Sequence, residues 1–296
     1  MSYAMTGAPP KPSDCNERPP GAPVIGISDW LGRIVCGDNT EVLSGFPAEC
    51  VDLVVTSPPY DDLRTYGGHS WNFETLAAQL VRVLKPGGVI VWVVADATVN
   101  GSETGTSMRQ ALHFLDACGL RLHDTMVYQT SKPPMNDRRY QAAWEYMFVL
   151  SKGEPKTWNP IKMPTKHAGE KVSGTYWNTD GTMKPRHGRN PVADESVREN
   201  VWRIVERPGN GHPAPFPESL AKDHVTTWSN PGDVVLDPFS GSGTTCKAAK
   251  ELNRQWCGIE INPDYCKIAE ARLSQDVLQL ETCAMRPNDK LTDSRP

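Results

Sequence analysis

The run Asp237-Pro238-Phe239-Ser240-Gly241-Ser242-Gly243-Thr244-Thr245 follows a short apolar, β-branched segment, Asp233–Asp237, and leads into a helical one, Gly243–Leu252. Its two glycines let the backbone turn tightly and approach a ligand closely. The position matters as much as the residues, because open α/β sheets bind ligands beyond the carboxyl ends of their strands. A further strand-like run, Trp256–Ile261, carries Glu260, 23 residues after Asp237. An acid at that place accepts hydrogen bonds from ribose hydroxyls in nucleotide-type sites. The run lacks the full GxGxxG fingerprint, which disfavours a dinucleotide oxidoreductase, and it lacks the Gly-Lys-Ser/Thr of a P-loop. An acid at the head of the loop would repel a pyrophosphate. It suits a cofactor that carries an ammonium group, such as S-adenosyl-L-methionine.

The second informative stretch lies far upstream. Val51–Thr56 is an apolar, β-branched run, and Ser57-Pro58-Pro59-Tyr60 stops it. Two prolines fix φ twice and remove two N–H donors, so the turn is rigid and its carbonyls point at a fixed spot. Ser57 adds a hydroxyl and Tyr60 an aromatic face. Carbonyl and hydroxyl acceptors beside a stacking ring suit a planar group bearing an NH2.

Between and around these stretches the pattern alternates. Arg33–Asp38 reads as a strand. Phe73–Leu84 has apolar residues at 73, 76, 77, 80, 81 and 84, the spacing of a core-facing helix. Lys85-Pro86-Gly87-Gly88 is expected to end that helix and launch the strand Val89–Ala95. Gly105–Cys118 reads as a helix, Leu120–Tyr128 as a strand, and Ala143–Leu150 as a strand that could pair with it. Pro263–Leu280 reads as a last helix. Alternating strands and helices imply an α/β, doubly wound, mostly parallel sheet covered on both faces. From Ser151 to about Glu199 the periodicity disappears, which marks a functional insertion or a small subdomain. Trp158, Tyr176 and Trp177 are expected to anchor its core, with base wedges as the competing reading. The expected organisation is a Pro-rich flexible tail over 1–24, one half of the domain over 25–150, the insertion over 151–199, the other half over 200–281 and a polar tail over 282–296.

Composition narrows the function classes. Of the 296 residues, 38% are hydrophobic and 22% charged, enough for a large core. The longest apolar run, near Val89–Ala95, is too short to cross a bilayer, and no charged-then-apolar signal opens the chain. The eight cysteines form no CxxC pair, so a disulfide scaffold, a zinc finger and any other metal site are not expected; reduced thiols in the cytoplasm are. The net charge of −4 hides an asymmetry. Residues 152–190 hold eight Lys/Arg against three acids, so a basic segment rides on an acidic body. Such a patch can engage a phosphate backbone, since charges are screened beyond about 8–10 Å.

The chain resembles the S-adenosylmethionine-dependent DNA amino-methyltransferases, which modify N4 of cytosine or N6 of adenine. Thr56-Ser57-Pro58-Pro59-Tyr60 looks like their catalytic motif and Asp237–Thr245 like their cofactor motif. The catalytic motif comes first, with a basic insertion between the two, which resembles the permuted β group of these enzymes. The resemblance covers about residues 30–275. It implies the seven-stranded-type methyltransferase fold, with the insertion as target-recognition region. It implies Ser57, Pro58, Pro59 and Tyr60 as catalytic residues. The implied cofactor residues are Asp237, Pro238, Phe239, Ser240, Gly241, Ser242, Gly243, Thr244 and Glu260, joined by Asp38 after Gly37 and by Phe216 and Pro217 in the segment that begins at His212. For Asp38 a competing reading is a helix N-cap before Glu41. The implied partner is double-stranded DNA in the cytoplasm of a bacterial or phage-infected cell, with no membrane; a homodimer is compatible, and a cognate restriction endonuclease is not deducible. In the family a Ser at the first catalytic position tends to accompany cytosine N4, so that base is favoured over adenine N6. An RNA or protein amide methyltransferase is the alternative from another class, disfavoured because those enzymes place the cofactor loop first. An idle DNA-binding module is disfavoured by the intact motifs.

Overall fold

The computed structural model describes residues 26–59, 71–130, 140, 142–171, 175–185, 191–204 and 217–274. After a 3-10 turn at Ile27–Trp30 come β1 (Arg33–Cys36), α1 (Asn39–Ser44), β2 (Val51–Thr56), α2 (Phe73–Val83) and β3 (Leu84–Val94). A two-residue hairpin, β4 (Thr98–Val99) and β5 (Ser102–Glu103), precedes α3 (Thr106–Asp116), β6 (Arg121–Gln129) and β7 (Trp144–Ser151). Four short strands follow: β8 (Lys162–Pro164), β9 (Thr175–Trp177), β10 (Met183–Pro185) and β11 (Glu195–Val197). The chain then returns through β12 (Val201–Arg203), α4 (Glu218–Trp228), β13 (Val234–Asp237), α5 (Thr244–Glu251), β14 (Gln255–Glu260) and α6 (Pro263–Leu273).

One eight-stranded sheet runs β1-β14-β13-β2-β3-β7-β6-β12. All its pairings are parallel except those of β7, which lies antiparallel between β3 and β6. The chain winds outward in one direction from β13 through α5 to β14. It winds outward in the other from β2 through α2 to β3. The crevice between β13 and β2 is therefore the topological switch point, where such sheets bind ligands.

The sheet is buried on both faces, as its continuous apolar strands require. Alternate residues of β3 divide between them. Ile90, Trp92 and Val94 meet α2 and α3 in one core with Leu80 and Phe114. Val89, Val91 and Val93 meet α4 and α5 in the other, with Leu220, Val225 and Ala249.

Three features differ from the expected pattern. The eighth strand, β12, extends the seven-stranded type at its edge, pairing Val201–Arg203 with Val127–Gln129. Lys85-Pro86-Gly87-Gly88 is not a turn between helix and strand. It is the first part of β3, held by Gly87 N–H to Lys152 O (2.7 Å) and by Lys152 N–H to Gly88 O (3.0 Å). Within 151–199, two separate ribbons form, β8 with β11 and β9 with β10. Trp177 is 71% exposed on one of them and anchors no core, because a three-residue strand pair has no second layer to bury it. Trp158 packs instead at 4.9 Å on Trp228 of α4. Arg198 binds Asp223 of α4 at 2.6 Å, so α4 carries both ends of the insertion.

Gly258, in β14, sits where sheet and loop are closest. A Cβ there would meet Ser240 Oγ at 2.5 Å, Ile34 Cδ1 at 2.6 Å and Cys246 Sγ at 2.8 Å. Gly258→Ala should therefore destabilise the fold by about 1–3 kcal/mol, read as a lowered urea midpoint with unchanged slope. An unchanged midpoint would show that this junction is loosely packed.

Candidate active site

The site is assembled at the carboxyl ends of β2 and β13. These strands are parallel neighbours, with Leu53 opposite Val235 and Val54 opposite Leu236. β2 releases the chain into Ser57, Pro58 and Pro59. Pro58 is buried, while Ser57 and Pro59 are half-buried. Tyr60 and Phe216 lie outside the described residues.

β13 releases the chain into the glycine loop. Asp237, Pro238 and Ser240 are buried; Phe239, Gly241 and Ser242 are half-buried. Gly241 and Gly243 have φ of 51° and 80°, which side chains rarely adopt. A Cβ on Gly243 would also meet Ala269 at 3.1 Å. Ser240 N–H donates to Ile259 O (2.9 Å) and Gly243 N–H to Ser240 O (2.8 Å), so the loop folds over β14. Phe239 projects toward the other loop and meets Trp71 edge-on at 5.0 Å.

Glu260 stands at the end of β14, and its two oxygens accept from Gly241 N–H and Asn262 N–H, each at 2.8 Å. A carboxylate has about four acceptor sites, so capacity for a hydroxyl donor remains. Asp38 is the N-cap of α1: its Oδ1 accepts from the backbone N–H of Thr40 (2.9 Å) and Glu41 (3.0 Å). The capping reading of Asp38 thus has a geometric basis, and its cap brings it to the site, because the adjacent Asn39 donates to Pro238 O at 3.2 Å. Pro217 is the N-cap residue of α4.

Four positions outside the expected site residues hold the loops. Thr56 donates to Asp237 Oδ1 at 2.7 Å, and Thr245 donates to Val55 O at 3.2 Å. Asn39 holds Pro238 as described. Arg272 of α6 donates through Nη1 to Ser242 O (2.6 Å) and Ser242 Oγ (2.8 Å), and through Nη2 to Glu218 Oε1 (2.8 Å). Lys247 of α5 also reaches Glu218, at 3.0 Å, which closes a clamp around the outside of the loop. Thr56 and Thr245 belong to the two motifs, so proximity to them was the available signal. Asn39 and Arg272 carry no local pattern that marks them.

A Ser-Pro-Pro turn beside an acid-headed glycine loop, both at the switch point of a doubly wound sheet, forms a candidate site for a nucleoside-type cofactor. The family model described as DNA methylase, that of the N6/N4 methyltransferases, matches residues 51–271. The chain belongs to this family and is a DNA methyltransferase of the N4/N6 type, with DNA as its substrate. It is 48% identical over 240 residues to the orphan methyltransferase M.BamHII of Bacillus amyloliquefaciens, covering 77% of this chain and 90% of that one. Among solved structures, the cytosine-N4-specific PvuII DNA methyltransferase has the same fold, with a TM-score of 0.60 at 24% identity, covering 83% of this chain and 90% of that one. TTHA0409 of Thermus thermophilus, solved in complex with S-adenosyl-L-methionine, superposes with a TM-score of 0.56 at 26% identity, covering 81% of this chain and 94% of that one. Among the described residues no helix is long and apolar enough to cross a membrane.

Burial pushes the Asp237 carboxyl up from its ordinary 3.8 to about 6. The Thr56 hydroxyl, the Phe239 N–H and the Thr245 hydroxyl pull it down, and the charge of Glu260 pushes it up. The folded chain thus holds this proton more tightly than the unfolded chain. The group's contribution to stability is complete below pH 3.8 and is lost as the pH rises through about 6. Asp237→Asn removes the ionisation and keeps an acceptor for Thr56 and Phe239. At pH 7.5 the cofactor-free variant should be more stable than wild type by about 1–3 kcal/mol, with little difference near pH 4. Thermal unfolding at the two pH values checks this. Equal stability at pH 7.5 would contradict an ionised, buried Asp237.

Proposed function

We propose that this chain transfers a methyl group from S-adenosyl-L-methionine to the exocyclic amino group of a flipped DNA base within a specific site, cytosine N4 in preference to adenine N6. The observation that carries the reading is the junction of the Ser57-Pro58-Pro59 turn with the Asp237–Thr245 loop at the switch point, sealed by the Thr56–Asp237 bond.

The cofactor supplies an electrophilic sulfonium methyl. Asp237, Phe239, the Ser240–Gly243 backbone and Glu260 would hold it, and the two acids suit its ammonium and its ribose hydroxyls. Asp38, Phe216, Pro217 and Thr244 complete the proposed cofactor set. The exocyclic nitrogen is a poor nucleophile, because its lone pair is delocalised into the ring. The Pro58 carbonyl and the Ser57 hydroxyl accept hydrogen bonds from the amino group, and Tyr60 stacks on the base. These contacts draw the nitrogen toward tetrahedral geometry and free its lone pair. Positioning of this kind can lower a barrier by up to about 7–11 kcal/mol. Ser57 is a neutral acceptor, weaker than the carboxylate or amide oxygen that accompanies adenine, and this favours cytosine.

The ribbons β8/β11 and β9/β10 form the proposed target-recognition region. Lys162, Lys166, Lys171 and Lys184 are all exposed there, in keeping with phosphate contacts made in the cytoplasm, where the DNA lies.

Nucleoside mass spectrometry on DNA from a methylation-free host expressing the chain should show N4-methylcytosine. N6-methyladenine in its place would retain the enzyme class and refute the role of Ser57 in base choice. Ser57→Ala should lower turnover about 10²-fold with cofactor affinity nearly unchanged. Changing Lys162, Lys166 and Lys171 together to Gln should flatten the salt dependence of DNA binding, by a slope of about 0.9 for each phosphate that is no longer neutralised. An unaltered slope would place the DNA elsewhere.

A further inference from the structure

Thr56 is the last residue of β2 and is 1% exposed. Its neighbour Ser57 begins the proposed catalytic turn. Its own hydroxyl faces β13 and donates to Asp237 Oδ1 at 2.7 Å. An ionised carboxylate has no proton to give, so the direction of this bond is fixed. The same oxygen accepts from Phe239 N–H at 3.1 Å, which bends the chain into the glycine loop. Just behind, Thr245 of α5 donates to Val55 O, one residue before Thr56. One short stretch of β2 is thus tied to both the beginning and the end of the cofactor loop.

We propose that Thr56 is a positioning residue for methyl transfer, whose hydroxyl fixes the Asp237 carboxylate and locks the Ser57–Pro58 turn to the cofactor loop. The inference rests on the reading of these two loops as acceptor and donor sites. Donor and acceptor come from strands whose joined residues are 181 positions apart, so their spacing depends on lateral bonds across the seam. A buried hydroxyl donated to a carboxylate stabilises the ionised form, the form that suits a cationic cofactor. Among the described residues, the other titratable groups that face Asp237 are Glu260, at the end of β14, and Cys246 of α5. Burial holds the Cys246 thiol well above its ordinary value, so it stays neutral while Asp237 titrates.

The test compares Thr56→Val, which keeps the branched shape and removes the donor, with Thr56→Ser, which keeps the donor. Calorimetry with S-adenosyl-L-methionine across pH 5–8.5 reads the affinity, and methylation of host DNA at saturating cofactor reads the turnover. For wild type the affinity should rise with pH through the ionisation of Asp237. Thr56→Val should bind about tenfold more weakly at pH 7.5 and shift the midpoint of that rise upward by about one pH unit. Its turnover should fall at saturating cofactor, and Thr56→Ser should restore both quantities. In an Asp237→Ala background, which removes the acceptor, Thr56→Val should have little further effect on affinity. A Thr56→Val protein with the wild-type midpoint overturns the proposal, even if it melts earlier. So does an equal loss of affinity with and without Asp237. If Thr56→Val does not fold, Thr56→Ser decides the matter: an altered midpoint in that variant also overturns the proposal. A folded wild-type chain that binds no cofactor removes the underlying reading, an outcome separate from any behaviour of the variants.

Discussion

The pairing of β2 with β13 holds the rest of the molecule in place. Each strand begins its own half of the winding, and within the sheet the two halves pair along this seam. The backbone register there spans few residues, Leu53 with Val235 and Val54 with Leu236. Side chains extend it at both ends, and both use an aspartate. At the lower end Asp52 accepts from Val234 N–H at 2.9 Å and binds Lys85 at 2.6 Å. At the upper end Asp237 accepts from Thr56. The two acids sit in different company. Asp52 has a cation beside it, whereas Asp237 has only hydroxyl and amide donors and lies close to a second acid, Glu260. The lower aspartate fastens the sheet, while the upper one is left poorly compensated at the place where a cationic ligand would relieve it.

The glycine loop shows how little of a binding site consists of the residues that face the ligand. Its backbone is held from three sides: by Ile259 and Glu260 of β14 and the chain just after it, by Asn39 of α1, and by Arg272 of α6. Arg272 is in turn oriented by Glu218, which also receives Lys247. These contacts position backbone N–H groups and carbonyls that the loop's own small side chains cannot fix. A loop in left-handed conformations at two glycines has many alternatives in the unfolded chain, and such external bonds select one of them.

Much of this architecture is legible in the sequence because it is local. Val51–Thr56 stopped by Ser-Pro-Pro, the helical spacing of Phe73–Leu84, and the strand-loop-helix around Asp237 each reveal an element without reference to the rest of the chain. Their boundaries hold to within a residue or two. The permuted order of the two motifs also indicates which strands must meet. What could not be read depends on distant partners. β12 is three residues of ordinary composition, and it is a strand only because Val127–Gln129 offers an open edge. Lys85–Gly88 reads as a turn by its Pro and Gly, but the backbone of Lys152 draws it into the sheet. Asp38 carries a legible cap signal, Asp-x-x-Glu, whereas its nearness to Pro238 depends on Asn39 across the fold. Arg272 lies beyond local reading for the same reason: its significance comes from Ser242, which no nearby pattern connects to it. Thr56 stands in a legible motif, but its bond to Asp237 joins that motif to one far along the chain.

The seam also bears on the order in which the molecule can be built. β2 is buried along its whole length, and one of its two flanking strands is β13. Thr56 and its partner Asp237 are separated by 181 residues of chain. At a translation speed of about 5–20 residues per second, the ribosome needs roughly 10–40 seconds to deliver the second strand after the first. Throughout that interval the nascent chain carries Val51–Thr56 with one flank and part of one face uncovered. The order of the two motifs therefore leaves a fully buried strand of the sheet waiting for one of its two neighbours.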